Sequence, residues 1–329
     1  MLTAAVRDLH QCHPRRFRTD VRTSCADLWE HNPYLTRLNE GDKGVRTIDC
    51  HYPLIHQSNS LPAHFLWGFI ENINEQLGSQ IRPTAFRGDI HLSAEERAQP
   101  SGVAKQVGLD IPYWLVVAGG KFDYTIKWWH FRRFQEVVNH FRGRIQFVQV
   151  GDLGHYHPPL DGVICWRGRT TLRQLIHLVY HAEGVLCPVT CLMHLAAAVE
   201  TRSDRKSPRP CVVVAGGREP PQWEAYPHHQ FIHTVGSLPC CASGGCWRAR
   251  TVPLGDGDEK DRPEKLCLDV VNGLPRCMAM IQPADVVRRI EWYFENGMAR
   301  YLTPAEARRA RKFNRVSQRD MLLNPPRGQ

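Results

Sequence analysis

The sequence predicts an α/β fold, a doubly wound parallel sheet with helices on both faces. Three observations carry this. Short apolar runs recur along the middle of the chain and stop at glycine, as strands buried on both faces do. Amphipathic segments with apolar residues three or four apart separate them. Strand and helix alternate in this way over about a hundred residues, the pattern of a parallel sheet rather than a bundle or sandwich.

Taken in order, Met1 to His10 reads as a helix and Val45 to Cys50 as a strand. Phe65 to Leu77 reads as a helix with Phe69, Ile73 and Leu77 four apart. The polar stretch Ser93 to Gly108, interrupted by Pro100, Ser101 and Gly102, reads as a linker. Tyr113 to Ala118 is the first buried strand and ends in Gly119-Gly120. Phe131, Phe134, Val138 and Phe141 mark a helix closed by Gly143, and Ile145 to Val150 is the next strand, ending at Gly151. Thr170 or Thr171 caps a helix carrying Leu172, Leu175, Ile176 and Val179. Val185 to Cys187 and Cys211 to Ala215 are strands, with a helix from Leu192 to Val199 between them. Pro283 opens a helix ended by Gly297, and the capping box Thr303-Pro304-Ala305-Glu306 starts another.

At 42% hydrophobic and 23% charged residues, the composition is that of a folded domain and excludes wholesale disorder. No apolar run approaches the roughly 20 residues of a membrane-spanning helix. Met1 to Val6 leads directly into Arg7, Asp8 and His10, so a secreted precursor is not expected and a cytoplasmic protein is. Lys plus Arg is 42 against 33 for Asp plus Glu, and the excess concentrates in two runs. One holds Arg15, Arg16, Arg18 and Arg22; the other holds Arg308, Arg309, Arg311, Lys312, Arg315 and Arg319. Such runs are commonly solvated faces, and otherwise suit peripheral contact with an anionic membrane. No zinc-finger or RNA-binding signature accompanies them, so no nucleic-acid partner is expected.

In a doubly wound sheet, ligands sit outside the carboxyl ends of the strands, where helix N-termini offer free N–H groups. Three strand ends qualify. Gly119, Gly120 and Lys121, followed by Thr125 and Lys127, pair close backbone approach with cations and a hydroxyl suited to phosphate oxygens. This matches neither the Walker spacing nor the dinucleotide fingerprint. The second strand end places Thr190 as a cap, with Cys191 and His194 in the first turn of a helix. The third, Gly216 and Gly217 with Arg218 and Glu219, brings an arginine and a carboxylate to the same cleft. Together they point to a nucleotide-type ligand, although taken alone His194 reads as an ordinary helix histidine.

The block from Lys127-Trp128 through Thr190-x-x-x-His194-Leu195-Ala196-Ala197-Ala198 to Gly216-Gly217 resembles the C-terminal half of glycosyltransferase family nine. These are the ADP-heptose:lipopolysaccharide heptosyltransferases and their relatives. The resemblance implies a GT-B architecture, two Rossmann-like domains facing a cleft. Residues 1–108 would form the acceptor-side domain and 109–300 the donor-binding domain, with a cysteine-rich insertion at 237–280 and a basic helical tail at 301–329. It further implies that Lys127 meets the donor phosphates, that Gly151 and Asp152 lie near the adenosine, and that Thr190 and His194 contact the pyrophosphate or sugar. Val189 stands where the family has aspartate and Cys191 where it has glycine. No catalytic metal is implied.

Twelve cysteines are many for an intracellular chain, and Cys240, Cys241, Cys246, Cys267 and Cys277 share one loop-like segment. Without a leader, clustered thiols read as a metal site before disulfides, with reduced core cysteines as the plain alternative. The segment resembles the cysteine-bearing insertion of the autotransporter heptosyltransferase branch, in which four cysteines bind iron. The expected ligands are Cys241, Cys246, Cys267 and Cys277. Cys241 is preferred to Cys240 because Cys240 directly follows Pro239. Four thiolates suit structural zinc or iron, and the sulfurs should lie close together even without metal.

The resulting expectation is an inverting transferase moving a heptose-like sugar from an ADP-sugar to a glycan, glycolipid or protein acceptor, at the inner face of the membrane. The alternative is a catalytically silent scaffold of the same fold. Met1 to Arg7 resembles the family's first helix, which places the family's first strand and its Gly-Asp base upstream of Met1. The catalytic residue is therefore unassigned. An incomplete N-terminal sheet and little transferase activity are expected, whether the start lies too late or the domain has diverged, the former being favoured.

Overall fold

The computed structural model describes residues 1–50, 54 and 57–323, with backbone alone over 315–323. Arg315 and Arg319 of the basic run, and the end of the expected tail at 324–329, lie outside the described side chains or residues.

Its centre is a six-stranded, all-parallel sheet. Before it come α1 (Leu2–Cys12), α2 (Phe65–Leu77), α3 (Ala94–Ala98) and α4 (Gly102–Val107). Then follow β1 (Tyr113–Val116), α5 (Phe131–His140), β2 (Gln146–Gln149), β3 (Ile164–Cys165) and α6 (Leu172–His181). The second half of the sheet is β4 (Gly184–Pro188), α7 (Cys191–Ala198), β5 (Cys211–Gly216), α8 (Pro221–Glu224) and β6 (Gln230–His233). A small hairpin of β7 (Val270–Val271) and β8 (Leu274–Pro275), then α9 (Arg276–Ala279), α10 (Pro283–Glu295) and α11 (Pro304–Leu323), complete the chain.

The strand order is β3-β2-β1-β4-β5-β6, so the direction of winding reverses between β1 and β4. That reversal opens a crevice at the carboxyl ends of these two strands. Side chains alternate between the faces. Leu115, Val185, Cys187 and Val213 pack with α6 and α7, whereas Trp114, Val116, Leu186 and Val214 pack with α5 and α10. Gly184, paired with Trp114 across β1 and β4, makes room for the indole: a Cβ there would lie 2.3 Å from the ring.

Caps match the sequence reading. Thr171 and Gln174 form a capping box on α6, and Thr303 with Glu306 does so before α11. The last helix lies against β3, the edge strand, and buries Ala310 in the same cluster as Ile164.

The first hundred residues differ from expectation. Among the described residues they hold no strand, only isolated bridges, and Val45 to Cys50 is irregular and largely exposed because no neighbour pairs with it. The α1 and α2 helices bury Ala5, Leu9, Ile70 and Ile73 against each other. Arg7 is buried and donates to the carbonyls of Ala85 and Arg87, while Asp8 accepts from Thr84, which pins α1 to the following loop. Ile90 bridges to Val199 at the end of α7 and ties this region to the sheet domain. The expected linker, Ser93 to Gly108, instead forms α3 and α4, whose Val103 and Val107 are fully buried in the core beneath the sheet.

Candidate functional site

A cleft of about 710 Å³ opens at the β1/β4 reversal. One wall comes from the segment after β1. Gly119 has φ +126, and an ideal Cβ there would lie 1.8 Å from the Tyr156 carbonyl oxygen, so only glycine lets the Tyr156 loop close over it. Gly120 and Tyr156 then exchange two backbone hydrogen bonds of 2.9 and 3.0 Å. Tyr156 stacks on Trp128 at 4.2 Å. Lys121 and Lys127 face the cleft from this wall.

The facing wall is the start of α7. Thr190 Oγ1 accepts from Leu192 N at 3.2 Å and its carbonyl from Met193 N at 3.3 Å, and Thr190, Cys191 and Leu192 line the cleft, with Cys191 exposed. Val189, where the resemblance leads one to expect a carboxylate, also lines it. A third wall joins Gly151 and Asp152 after β2 to Thr170, Thr171, Leu172 and Leu175 at the start of α6. Gly151 lies against the His157 ring, where a Cβ would come within 2.6 Å. Burial pushes the His157 imidazole down to about 4, so it is neutral at pH 7.

Of the eleven nucleotide-sugar residues expected, the cleft thus collects Gly119, Gly120, Lys121, Lys127, Gly151, Asp152, Thr190 and Cys191. Three lie elsewhere. Thr125 is buried, its Oγ1 accepting from Thr251 N at 2.9 Å. Gly217 sits against Cys241 and Cys277 and its carbonyl accepts from Cys246 N, so it seats the insertion. His194 turns behind α7, where Nδ1 shares a 3.1 Å hydrogen bond with the Tyr226 hydroxyl; burial holds its ring at about 3. Sequence marks Thr170 and Thr171 only as caps, and Tyr156 and His157 carry no sequence signal, since loop residues that fold back over a glycine show no periodicity.

Behind Lys127 lies a buried charge group. Lys127 Nζ pairs with Glu219 Oε1 at 2.7 Å, and Arg218 also contacts Glu219. Burial, followed by repulsion from Arg218, lowers Lys127 to about 8. Glu224, on α8, is 2% exposed, and burial lifts its carboxyl to about 7 against the attraction of Lys127 and Arg218. The sequence places Arg218 and Glu219 here but not Glu224.

In the insertion, Cys241 and Cys277 are buried, and Cys240, Cys246 and Cys267 are half-buried. Burial and then the neighbouring thiols Cys246, Cys241 and Cys267 raise Cys240 to about 11. Cys277, raised to about 12, feels Cys246 and Cys267 after burial. The five thiols are therefore neighbours, but the tight set expected is not found. Among the described residues, no three of their sulfurs lie within 4.8 Å of one another. Instead Cys267 Sγ donates to Asp269 O at 3.3 Å and Cys241 Sγ to Thr234 O at 3.6 Å. The thiol donors are of a kind that suits a metal, but their spacing is that of free thiols.

Residues 164–203, which span β3 to the end of α7 and include the parts of the cleft lining at the starts of α6 and α7, match Glycosyltransferase family 9 (heptosyltransferase). No curated protein matches the chain. The bacterial iron-containing dodecameric glycosyltransferase TibC from enterotoxigenic E. coli H10407 is similar in structure, with a TM-score of 0.57 at 18% identity over 89% of this chain and 71% of that one. A family 9 glycosyl transferase from Veillonella parvula DSM 2008 gives 0.48 at 16% identity, covering 71% and 61%. E. coli ADP-heptose LPS heptosyltransferase II gives 0.41 at 16%, covering 66% and 57%. The chain thus spans less than two thirds of the length of the last two. Its sheet domain has the α/β fold of TibC, and the segment 164–203, which supplies part of the cleft lining, is similar to family 9 glycosyltransferases.

Proposed function

We propose that this chain is an inverting glycosyltransferase that takes a heptose-like sugar from an ADP-sugar held in the cleft. The acceptor would be a glycan, glycolipid or protein of the cell envelope. The observation that carries the reading is the cleft itself: two lysines and a glycine turn on one wall face the N-terminus of α7 on another, and only the latter lies in the segment that matches the family. A departing nucleoside diphosphate gains negative charge as the anomeric bond breaks, and preorganised cations and free N–H groups stabilise that charge. Lys127 and the first turn of α7 would supply them, with Gly151 and Asp152 beside the nucleoside. His194, set behind α7, would act on the helix rather than on the ligand.

The clustered thiols support a structural zinc or iron held by Cys241, Cys246, Cys267 and Cys277, which would draw the sulfurs together and staple a loop-rich insertion. Arg308, Arg311 and Lys312 are exposed on α11 and suit peripheral contact with an anionic membrane. Among the described residues, no helix is long and apolar enough to cross one.

Binding of ADP-, UDP- and GDP-sugars to the wild type and to Lys127→Ala tests the donor site. Preference for the ADP-sugar, lost with Lys127, is the expected result; equal binding by both proteins would overturn the assignment.

A further inference from the structure

Two buried carboxylates and two cations sit together directly behind the cleft, and their geometry is unequal. Glu219 is 3% exposed and touches both cations, Lys127 at 2.7 Å and Arg218. Arg218 is held in place by the Arg248 carbonyl, to which its Nε donates at 2.7 Å, and by the Tyr124 ring, 4.8 Å beneath its guanidinium. Each carboxylate leaves one oxygen without a hydrogen-bond partner, Oε2 of Glu219 and Oε1 of Glu224. Glu224, as deeply buried, has no lysine or arginine among the described residues within ion-pair distance. Its other oxygen is 3.9 Å from His194 Nε2, a ring kept neutral chiefly by burial, with the Lys127 charge acting in the same direction. What keeps Glu224 ionised is therefore the charge of Lys127 and Arg218 acting through space, with Tyr226 the other titratable group beside it.

Only Lys127 of this group reaches the cleft. We propose that a diphosphate entering the cleft draws Lys127 Nζ from Glu219 to a phosphate oxygen, and that Glu224 takes up one proton as this happens. The proposal rests on the donor-site reading and adds a proton to it. The step balances: one O–H bond forms on Glu224, the proton comes from solvent, and no covalent bond within the protein or ligand breaks. Glu219 does not need the proton, because Arg218 remains in contact with it. Glu224 has no such partner, and the incoming negative charge cancels the lysine field that had kept it ionised. Glu224 is thus a positioning residue: it takes no part in contact with the ligand, and sets how readily Lys127 changes partners.

The signature is proton linkage. In the free protein Glu224 titrates near 7, so uptake on binding is small below that pH and rises above it. Affinity should fall as pH rises, approaching about tenfold per unit for one linked proton. The window to measure is between about pH 6.5 and 7.5, where Lys127, itself near 8, is still mostly charged.

The probe is ADP-glucose, whose two phosphates carry no titratable proton near neutrality, titrated calorimetrically in buffers of different ionisation enthalpy. Near pH 7 the wild type should take up about half a proton. Glu224→Gln, which keeps the shape of the side chain, should take up clearly less, retaining only the small share due to Lys127, and lose most of the pH dependence. Glu219→Gln should keep the uptake. Binding without uptake in the wild type, or the same uptake in Glu224→Gln, would overturn the proposal and leave the donor site standing. No binding of ADP-glucose or of inorganic pyrophosphate to the wild type would overturn both.

Discussion

Lys127 Nζ and Glu219 Oε1 lie 2.7 Å apart at the inner edge of the cleft, the lysine 22% exposed and the carboxylate 4%. Removing one member of so buried a pair strands the other, so Glu219→Ala should destabilise the fold by about 3 kcal/mol. Denaturant unfolding measures it; a change under a few tenths of a kcal/mol would show that the pair is not formed in solution.

The glycine at the β1 turn makes a separable prediction. Gly119→Ala meets the Tyr156 carbonyl and an unfavourable φ, so the Tyr156 loop must move away from the cleft. Strain of about 1–3 kcal/mol follows. Nucleotide-sugar affinity should fall by about tenfold or more while the sheet stays folded. Titration of the variant beside its circular dichroism spectrum separates the two effects.

Gly184 predicts the opposite balance. A methyl group added there strikes the buried Trp114 indole, between the two central strands. Gly184→Ala should therefore cost about 1–3 kcal/mol of stability by overpacking, with altered tryptophan fluorescence. Unchanged unfolding midpoints would contradict the packing described.

Buried histidines set an acid limit. His64, His157 and His181 are each pushed by burial down to about 4. The unfolded chain binds protons at these sites from the ordinary value of about 6.5 downward, while the folded chain does not. Their contribution to stability is thus complete above about pH 6.5 and is lost as pH falls toward 4, by up to about 1 kcal/mol per pH unit for each. Unfolding midpoints measured across that range should drop steadily; a flat profile would show that the three rings are accessible to protons in the folded state.

The thiol set makes a compositional prediction. Purified protein should carry about one zinc or iron per chain, and Cys246→Ser should abolish it and lower the melting temperature. Elemental analysis decides it, and metal-free wild type of undiminished stability would leave the cysteines as ordinary thiols.

The sheet domain was legible because its strands are apolar on both faces and its helices are capped: β1, β2, β4 and β5, with the capped α6, lie within a residue or two of the positions read from sequence. What escaped has a physical reason. Strand β3 is two residues long, and β6, Gln230–His233, is a partly exposed edge strand with polar ends. β6 produces no apolar run, and the run around β3, Val163 to Trp166, is only four residues long. Of the candidate site, the strand-end glycines and Lys127 were visible because backbone approach and charge are written in residue type. Thr125, Gly217 and His194 do not line the cleft, because proximity in sequence to a strand end does not say which way a side chain turns. Glu224 was invisible, since burial of a carboxylate is a property of the packed molecule.

The α11 helix looks like a disposable basic extension, yet it leans on β3, the shortest strand and one rim of the sheet. Asn314 donates to the Gly162 carbonyl just before that strand, and Arg309 to Val107 of α4. A rim left bare offers unpaired backbone to any other chain that passes. Trimming the helix to simplify the protein would then be paid for in solubility: the shortened chain would be expected to aggregate while its cleft remained intact.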